Sequence, residues 1–329
     1  ITNNSPHFDS LSAEAPLSVE DYLKDLQPEK IHRKTSRQIV THLRKKHYSK
    51  LAVDDRLSER LLERYLSDLD FNRIYFLEDD IRRFRTYRHQ LDEALKSGDL
   101  GPAFRIYNNY KRNLVERLVF LINYIDRDYG RIDLNVRESL NIDRENTPWP
   151  PNADAIGRLW IKWLKNDVLK LKLSGKSPDK ISNTLSRRYR SQLNRIRQTN
   201  SEDVFRIYMN ALTSCFDPHT QYFSPRMEEN FKIQMSLSLE GIGAVLQTEN
   251  EHTKVVRLVP AGPADKGKDL MPGDRIIGVG QGRKGEIVDV VGWRLDDVVQ
   301  LIRGAKGTVV RLDILPSGID DYYKTKLIS

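Results

Sequence analysis

Through the first two thirds of the chain, apolar residues recur at the three-to-four-residue spacing of helices with one buried face. Residues 1–18 are rich in Ser, Asn and Pro and are expected to be a flexible N-terminus. After Val19, Ile31, Ile39 and Leu43 fall on one face of a helix ending in Lys45–Lys46–His47, basic residues that suit the negative end of its dipole. Asp54–Asp55 opens a second helix, with Leu57, Leu61, Leu62, Tyr65, Leu66 and Leu69 at helical spacing. An apolar patch, Phe71 to Leu77, follows Asp70. Asp79–Asp80 then opens a helix predicted to run through Leu95, before Gly98 and Gly101–Pro102 break the pattern. Ala103 to Ile125 is the longest amphipathic stretch. Thr147–Pro148–Trp149–Pro150–Pro151 interrupts the series, because proline lacks the donor N–H and restricts the residue before it. Helices resume over Ala155–Leu173, over Lys180–Gln198 behind a Ser177–Pro178–Asp179 cap, and from Ser201 to about Phe216.

At about residue 235 the pattern changes. Most of the 18 glycines lie between Gly241 and Gly318, among short Val/Ile/Leu runs punctuated by Gly-Pro, Pro-Gly and Gly-Asp. Gly241–Ile242–Gly243–Ala244 is a flexible loop running into a strand, and Val255–Val259 is a second strand. Asp274 precedes a buried strand, Leu295–Ile302 is a helix stopped by Gly304, and Val309–Leu315 is a further strand. The expected fold class is multidomain, α and α+β. The predicted parts are a helical N-terminal domain over 19–225, a hinge or linker over 226–235, and a β-rich domain over 236–329.

Composition narrows the chemistry. Lys and Arg total 54 against 46 Asp and Glu, a net charge of +8, which is a mild excess over interspersed acids rather than a nucleic-acid arm. One cysteine, Cys215, rules out an intrachain disulfide framework and a cysteine-based zinc cage. It leaves the compartment open. No run approaches the ~20 apolar residues of a membrane span. The chain begins at Ile1 without a charged-then-apolar leader, as expected if a signal peptide has been removed or if this is a piece of a longer chain.

None of the 7 histidines shows the spacing that puts two imidazoles on one helical face, so no metal is expected. A P-loop is absent, and Leu246 stands where a dinucleotide loop starting at Gly241 would need its third glycine. The pairs Asp54/Asp55, Asp79/Asp80 and Asp296/Asp297 open helices and read as caps before they read as catalytic carboxylates. Arg187, Arg188, Arg190, Arg195 and Arg197 read as a solvated face before a phosphate-binding one, and Trp160 with Trp163 reads as core. No cofactor is expected.

The C-terminal order resembles a PDZ domain. The resemblance rests on Gly241–Ile242–Gly243–Ala244, Gly262–Pro263–Ala264, Met271–Pro272–Gly273–Asp274–Arg275–Ile276, and Asp296–Asp297–Val298–Val299 ahead of Gly304–Ala305–Lys306–Gly307. It implies that Gly241, Ile242, Gly243 and Ala244 hold a peptide carboxylate, and that Leu239, Val298, Val299 and Ile302 form an apolar pocket for the terminal side chain. Asp217–Pro218–His219–Thr220 just upstream, together with Thr147–Pro148–Trp149–Pro150, Leu185–Ser186–Arg187–Arg188–Tyr189 and the run Gln198 to Phe205, is similar to the C-terminal-processing peptidases, in particular the bacterial periplasmic tail-specific kind. That likeness implies a serine endopeptidase recognising proteins by apolar C-termini, in the periplasm, working with a tetratricopeptide lipoprotein adaptor. No residue here matches the family's nucleophilic serine or its lysine base, so the chain by itself is expected to be catalytically silent. The competing readings are a stand-alone, non-enzymatic PDZ adaptor and a nucleic-acid-binding helical protein that uses the Arg187–Arg197 face.

Overall fold

The computed structural model describes residues 16–236, 241–249, 251–268, 270–305, 307–318 and 324–328. Helices come first: α1 (Lys30–Lys46), α2 (Asp55–Leu69), α3 (Glu78–Phe84), α4 (Leu91–Ser97), α5 (Gly101–Asp128), α6 (Ala153–Leu173), α7 (Pro178–Arg197), α8 (Ser201–Ser214) and α9 (Pro225–Ser236). Then follow β1 (Ala244–Glu249), β2 (His252–Leu258), α10 (Pro263–Gly267), β3 (Arg275–Gln281), β4 (Ile287–Asp289), α11 (Leu295–Ile302), β5 (Val310–Leu315) and β6 (Lys324–Ile328). A helical domain followed by an antiparallel sheet domain is the predicted class.

The helical part has two apolar cores, and α5 belongs to both. Ala103 to Tyr107 packs with α1–α4 and α8, whereas Val115 to Ile125 packs with α6 and α7. Trp160 is buried, and its Nε1–H donates to the Ile74 carbonyl (2.7 Å), tying α6 to the segment before α3. That segment is shaped by Asp70, a buried carboxylate accepting N–H groups from Ile74 (2.7 Å), Tyr75 (3.1 Å) and Phe76 (2.9 Å). The expected apolar patch is therefore a turn, with Phe71 at its exposed edge and Phe76 fully buried.

The helix expected from Asp79 to Leu95 is two helices joined by a 3-10 turn at Arg85–Tyr87. The break lets Leu91 N–H donate to the buried Ser58 hydroxyl (2.9 Å), and α4 folds back onto α1 and α2. The stretch 226–235, expected as a linker, is helical and lies within α9. At α7 the N-cap is Ser177, as expected, but its side chain makes no capping bond; Pro178 in the first turn carries that start.

In the C-terminal part the strand order is β1-β2-β3-β5-β6, with β4 pairing onto β3 and every pair antiparallel. Ile242, Val255, Ile276, Val279, Val298, Ile302, Leu312 and Ile314 make its core. Buried Asp274 accepts from the N–H groups of Met271 (2.8 Å) and Ser317 (3.2 Å), closing the turn before β3. β1 stands at the end of the sheet, so one of its edges has no strand partner among the described residues.

Candidate functional site

The loop ahead of β1 is held from behind. The Ile242 side chain is buried in the C-terminal core, its carbonyl accepts from Ala264 N–H (2.9 Å), and the Gly243 carbonyl accepts from Val259 N–H (2.7 Å). Both carbonyls are therefore taken up by the Val259–Ala264 segment, and the N–H groups of Ile242 and Gly243 donate to no backbone acceptor among the described residues. Gly243 has φ +73°, and a Cβ there would lie 3.1 Å from Gly262 Cα. Two backbones thus abut where the loop turns, and both positions need glycine. Uncommitted consecutive N–H groups of this kind make a concavity for an anion such as a carboxylate.

Next to the loop, α11 lies against β1. Val298 and Ile302 are buried beside Ile242, Leu295 and Val299 are half-buried, and Asp296 and Gln300 face solvent. The helix thus turns a continuous apolar stripe, spaced i, i+3, i+4, i+7, toward the sheet. Ala244 and Leu246 on β1 pack against the same cluster. Of the predicted residues, Gly241, Ile242, Gly243 and Ala244 form the loop and strand start, and Val298, Val299 and Ile302 share one helix face. Leu239 lies outside the described residues. Sequence reasoning missed Leu246 and Leu295, and it missed the buttressing role of Gly262 and Ala264, whose only signal was the Gly-Pro-Ala motif.

A second set of contacts had no sequence signal. The guanidinium of Arg294, the residue before α11, makes paired bonds to Asp203 (2.6 and 3.1 Å) in the first turn of α8. The Asp203 bond raises the Arg294 pKa further. Gln198 donates to the Gly292 carbonyl, Asn194 to the Glu251 carboxylate (3.0 Å), and Arg226 of α9 to Asp297 (2.7 Å). The α7–α8 corner of the helical domain therefore grips the start of α11. Asp203 has a second duty: it accepts from Asn200 N–H (3.1 Å) in a capping box.

The Asp217–Pro218–His219–Thr220 segment is a turn between α8 and α9. Asp217 accepts from the Tyr48 hydroxyl and from His219 N–H (2.5 Å), and these bonds hold its carboxyl below the usual range. Within the arginine run, Arg190 pairs with Asp126 (2.7 Å), while Arg187, Arg188, Arg195 and Arg197 are exposed. Among the described residues no group of His, Cys, Asp and Glu is arranged to hold a metal ion. No described helix is long and apolar enough to cross a membrane.

A loop of uncommitted amides leading into an unpaired strand edge, roofed by an apolar helix face, is the arrangement that adds an extended chain to a sheet. Together with the strand order it defines a PDZ-type domain, here attached to a helical one. Comparison with known proteins gives the same two parts. Residues 39–226 match the family described as tail specific protease N-terminal domain, and residues 230–315 match the PDZ domain family. The chain belongs to the tail-specific protease family.

Relatives agree. A tail-specific protease of Haemophilus influenzae is 42% identical over 283 residues, covering 86% of this chain and 40% of that protein. The carboxy-terminal processing protease CtpA of Bacillus subtilis is 32% identical over 108 residues, 33% of this chain and 22% of its own length. The chain thus spans well under half the length of these relatives. A solved PDZ domain of a carboxy-terminal protease from Vibrio cholerae, in complex with peptide, is 57% identical, covering 27% of this chain and 91% of that one, with a TM-score of 0.27.

Proposed function

We propose that this chain is the substrate-recognition part of a serine-type C-terminal-processing endopeptidase, and that it captures proteins by a free, apolar C-terminus. The observation that carries the reading is the juxtaposition of the Ile242 and Gly243 amides with the unpaired edge of β1 and the apolar face of α11. The terminal carboxylate accepts from the loop N–H groups of Gly241 to Ala244. Because it is held at the start of β1, the rest of the tail runs antiparallel to that strand and exchanges main-chain bonds with it. The last side chain is directed at the apolar surface of Ala244, Leu246, Val298, Val299 and Ile302, and Leu239 is kept as a further member of that pocket. Loss of the terminal charge would leave the loop donors without an anion, which is the source of discrimination against internal segments.

Within this proposal, cleavage is carried by a serine and lysine that no residue of this chain matches, so the 329 residues bind tails without hydrolysing them. Action in the periplasm, and docking of a tetratricopeptide lipoprotein adaptor on the helical domain, belong to the same proposal and follow from the family resemblance. The test is fluorescence anisotropy with a labelled peptide ending in small apolar residues and with its C-terminally amidated twin. Binding that requires the free carboxylate and disappears in Gly243→Asp is the expected result. Equal binding of the twins, or of neither, would remove the loop as the recognition element.

A further inference from the structure

Between the two domains lies a cleft of about 470 Å³, lined by Asn194 and Arg195 of α7, Arg206 of α8, Thr248 of β1, and Trp293 and Leu295 at the start of α11. It is walled by the helical domain on one side and by the far end of the β1–α11 seam on the other. Thr248 is the fifth residue of β1, counted from Ala244 beside the carboxylate loop. Leu295 is the first residue of the apolar stripe of α11. The seam that starts at Gly241–Ala244 therefore opens into this cleft.

The direction of a bound tail follows from where its charge is held. A chain whose carboxylate sits at the start of β1 advances along that strand by about 3.3 Å per residue. Its first four residues, counted back from the C-terminus, are spent alongside Ala244 to Gln247. From about the fifth residue it stands beside Thr248 and enters the space between the domains. We infer that this interdomain cleft is a second subsite, which takes the upstream segment of the same tail, from about the fifth residue back, against the α7–α8 corner. The inference rests on the reading of the loop as a carboxylate site.

The cleft's chemistry suits an extended polar peptide. Trp293 is 42% exposed, an indole open to solvent at the mouth of the cleft. Arg195 is exposed and has no ion pair among the described residues, while Glu251 and Asp296 supply the opposite sign on the rim. A mixed lining with one exposed aromatic side chain, Trp293, beside the buried Tyr107 selects for extension and main-chain polarity rather than for one charge. It also gives the domain contacts a use: Arg294–Asp203 and Gln198–Gly292 hold the two walls at a fixed spacing. A substrate must then present a tail unfolded well beyond its last four residues to fill both parts.

The experiment uses the whole chain and labelled peptides of four and ten residues that share one apolar C-terminal sequence, with Ser and Asn upstream, each also made as the amide. The ten-residue acid is expected to bind at least about fivefold more tightly than the four-residue acid, the size of effect that covering one indole produces. Trp293→Ser and Arg195→Ser are each expected to shrink that gain while leaving four-residue binding unchanged, with circular dichroism confirming an intact fold. Equal affinity of the two acids, both still needing the free carboxylate, would overturn the subsite and leave the loop reading standing. A gain that persists in both variants would overturn it equally. Amides that bind as well as acids would instead overturn the loop reading, and the subsite with it.

Discussion

At Gly243 two requirements coincide in one residue. Its φ of +73° suits glycine, and its missing Cβ leaves room for Gly262 Cα at what would be 3.1 Å. Gly243→Ala meets the left-handed penalty of about 1 kcal/mol and pushes on a neighbouring backbone rather than on a mobile side chain. The expected outcome is a folded protein, by circular dichroism, whose affinity for a free-acid tail falls about tenfold; unchanged affinity would show that the loop amides are not the carboxylate site. Asp217 poses a different question at the same scale. Its carboxyl is held low by Tyr48 and His219, so the folded protein keeps it ionised to lower pH than the unfolded chain does. That stabilisation is fully present above an ordinary aspartate value of about 4 and is lost as pH falls through the lower folded value. Thermal unfolding of Asp217→Asn should therefore show a lower midpoint than the parent at pH about 6, with the gap closing as pH drops below about 4. A gap that stays constant into strong acid would remove the Tyr48–Asp217 bond as its cause.

Helix starts show how local chemistry defines an element. At α2 the pair Asp54/Asp55 divides its work: Asp54 is the N-cap and accepts from Arg56 N–H and Leu57 N–H (both 3.1 Å), and Asp55 sits in the first turn without a capping bond. Asp54→Ala should lower stability by about 1 kcal/mol, and Asp55→Ala by a few tenths at most, measured by urea unfolding. Equal effects would mean that the helix dipole, rather than the cap, carries the pair. α11 shows the same division between ends and faces. Its span, Leu295–Ile302, was legible in the sequence to the residue, whereas of its inward face the sequence reading named Val298, Val299 and Ile302 and missed Leu295. Where local signals failed, a long-range hydrogen bond had intervened. The break between α3 and α4 follows from Leu91 meeting Ser58, a partner 33 positions earlier that no window around Leu91 contains.

For the whole molecule, α9 is a covalent bridge between the domains, and the corner of α7 and α8 is a clasp. Arg294 and Asp203 are about one quarter and one sixth exposed, so their paired bonds are only partly screened by solvent and contribute roughly 1 kcal/mol. Arg294→Met removes that clasp and leaves the Asn200–Asp203 capping box in place. Its radius of gyration by small-angle scattering should exceed the parent's at low salt, with the difference narrowing at high salt as the parent's ion pair is screened, while helix content stays constant. An unchanged radius would show that Gln198–Gly292 and Arg226–Asp297 suffice to hold the domains.

Periodicity and punctuation along the chain were enough to divide it into a helical part and a glycine-turned sheet part, and to place the loop at Gly241–Ala244 and the helix at Leu295–Ile302. These features are local, since helix spacing, caps, Pro breaks and Gly turns depend on residues within a few positions of one another. The family resemblance added the assignment of Val298, Val299 and Ile302 to one surface. What the tertiary structure decided depends on distance in sequence: two cores sharing α5, the turn organised by Asp70, and Gly243 buttressed by Gly262. The meeting of Arg294 with Asp203, 91 positions apart, belongs with these. An isolated Arg and an isolated Asp look alike wherever they stand in a charged chain, and only packing says which two face each other. The cleft between the domains is the largest instance, because its lining comes from two parts of the chain whose sequences carry no sign of each other.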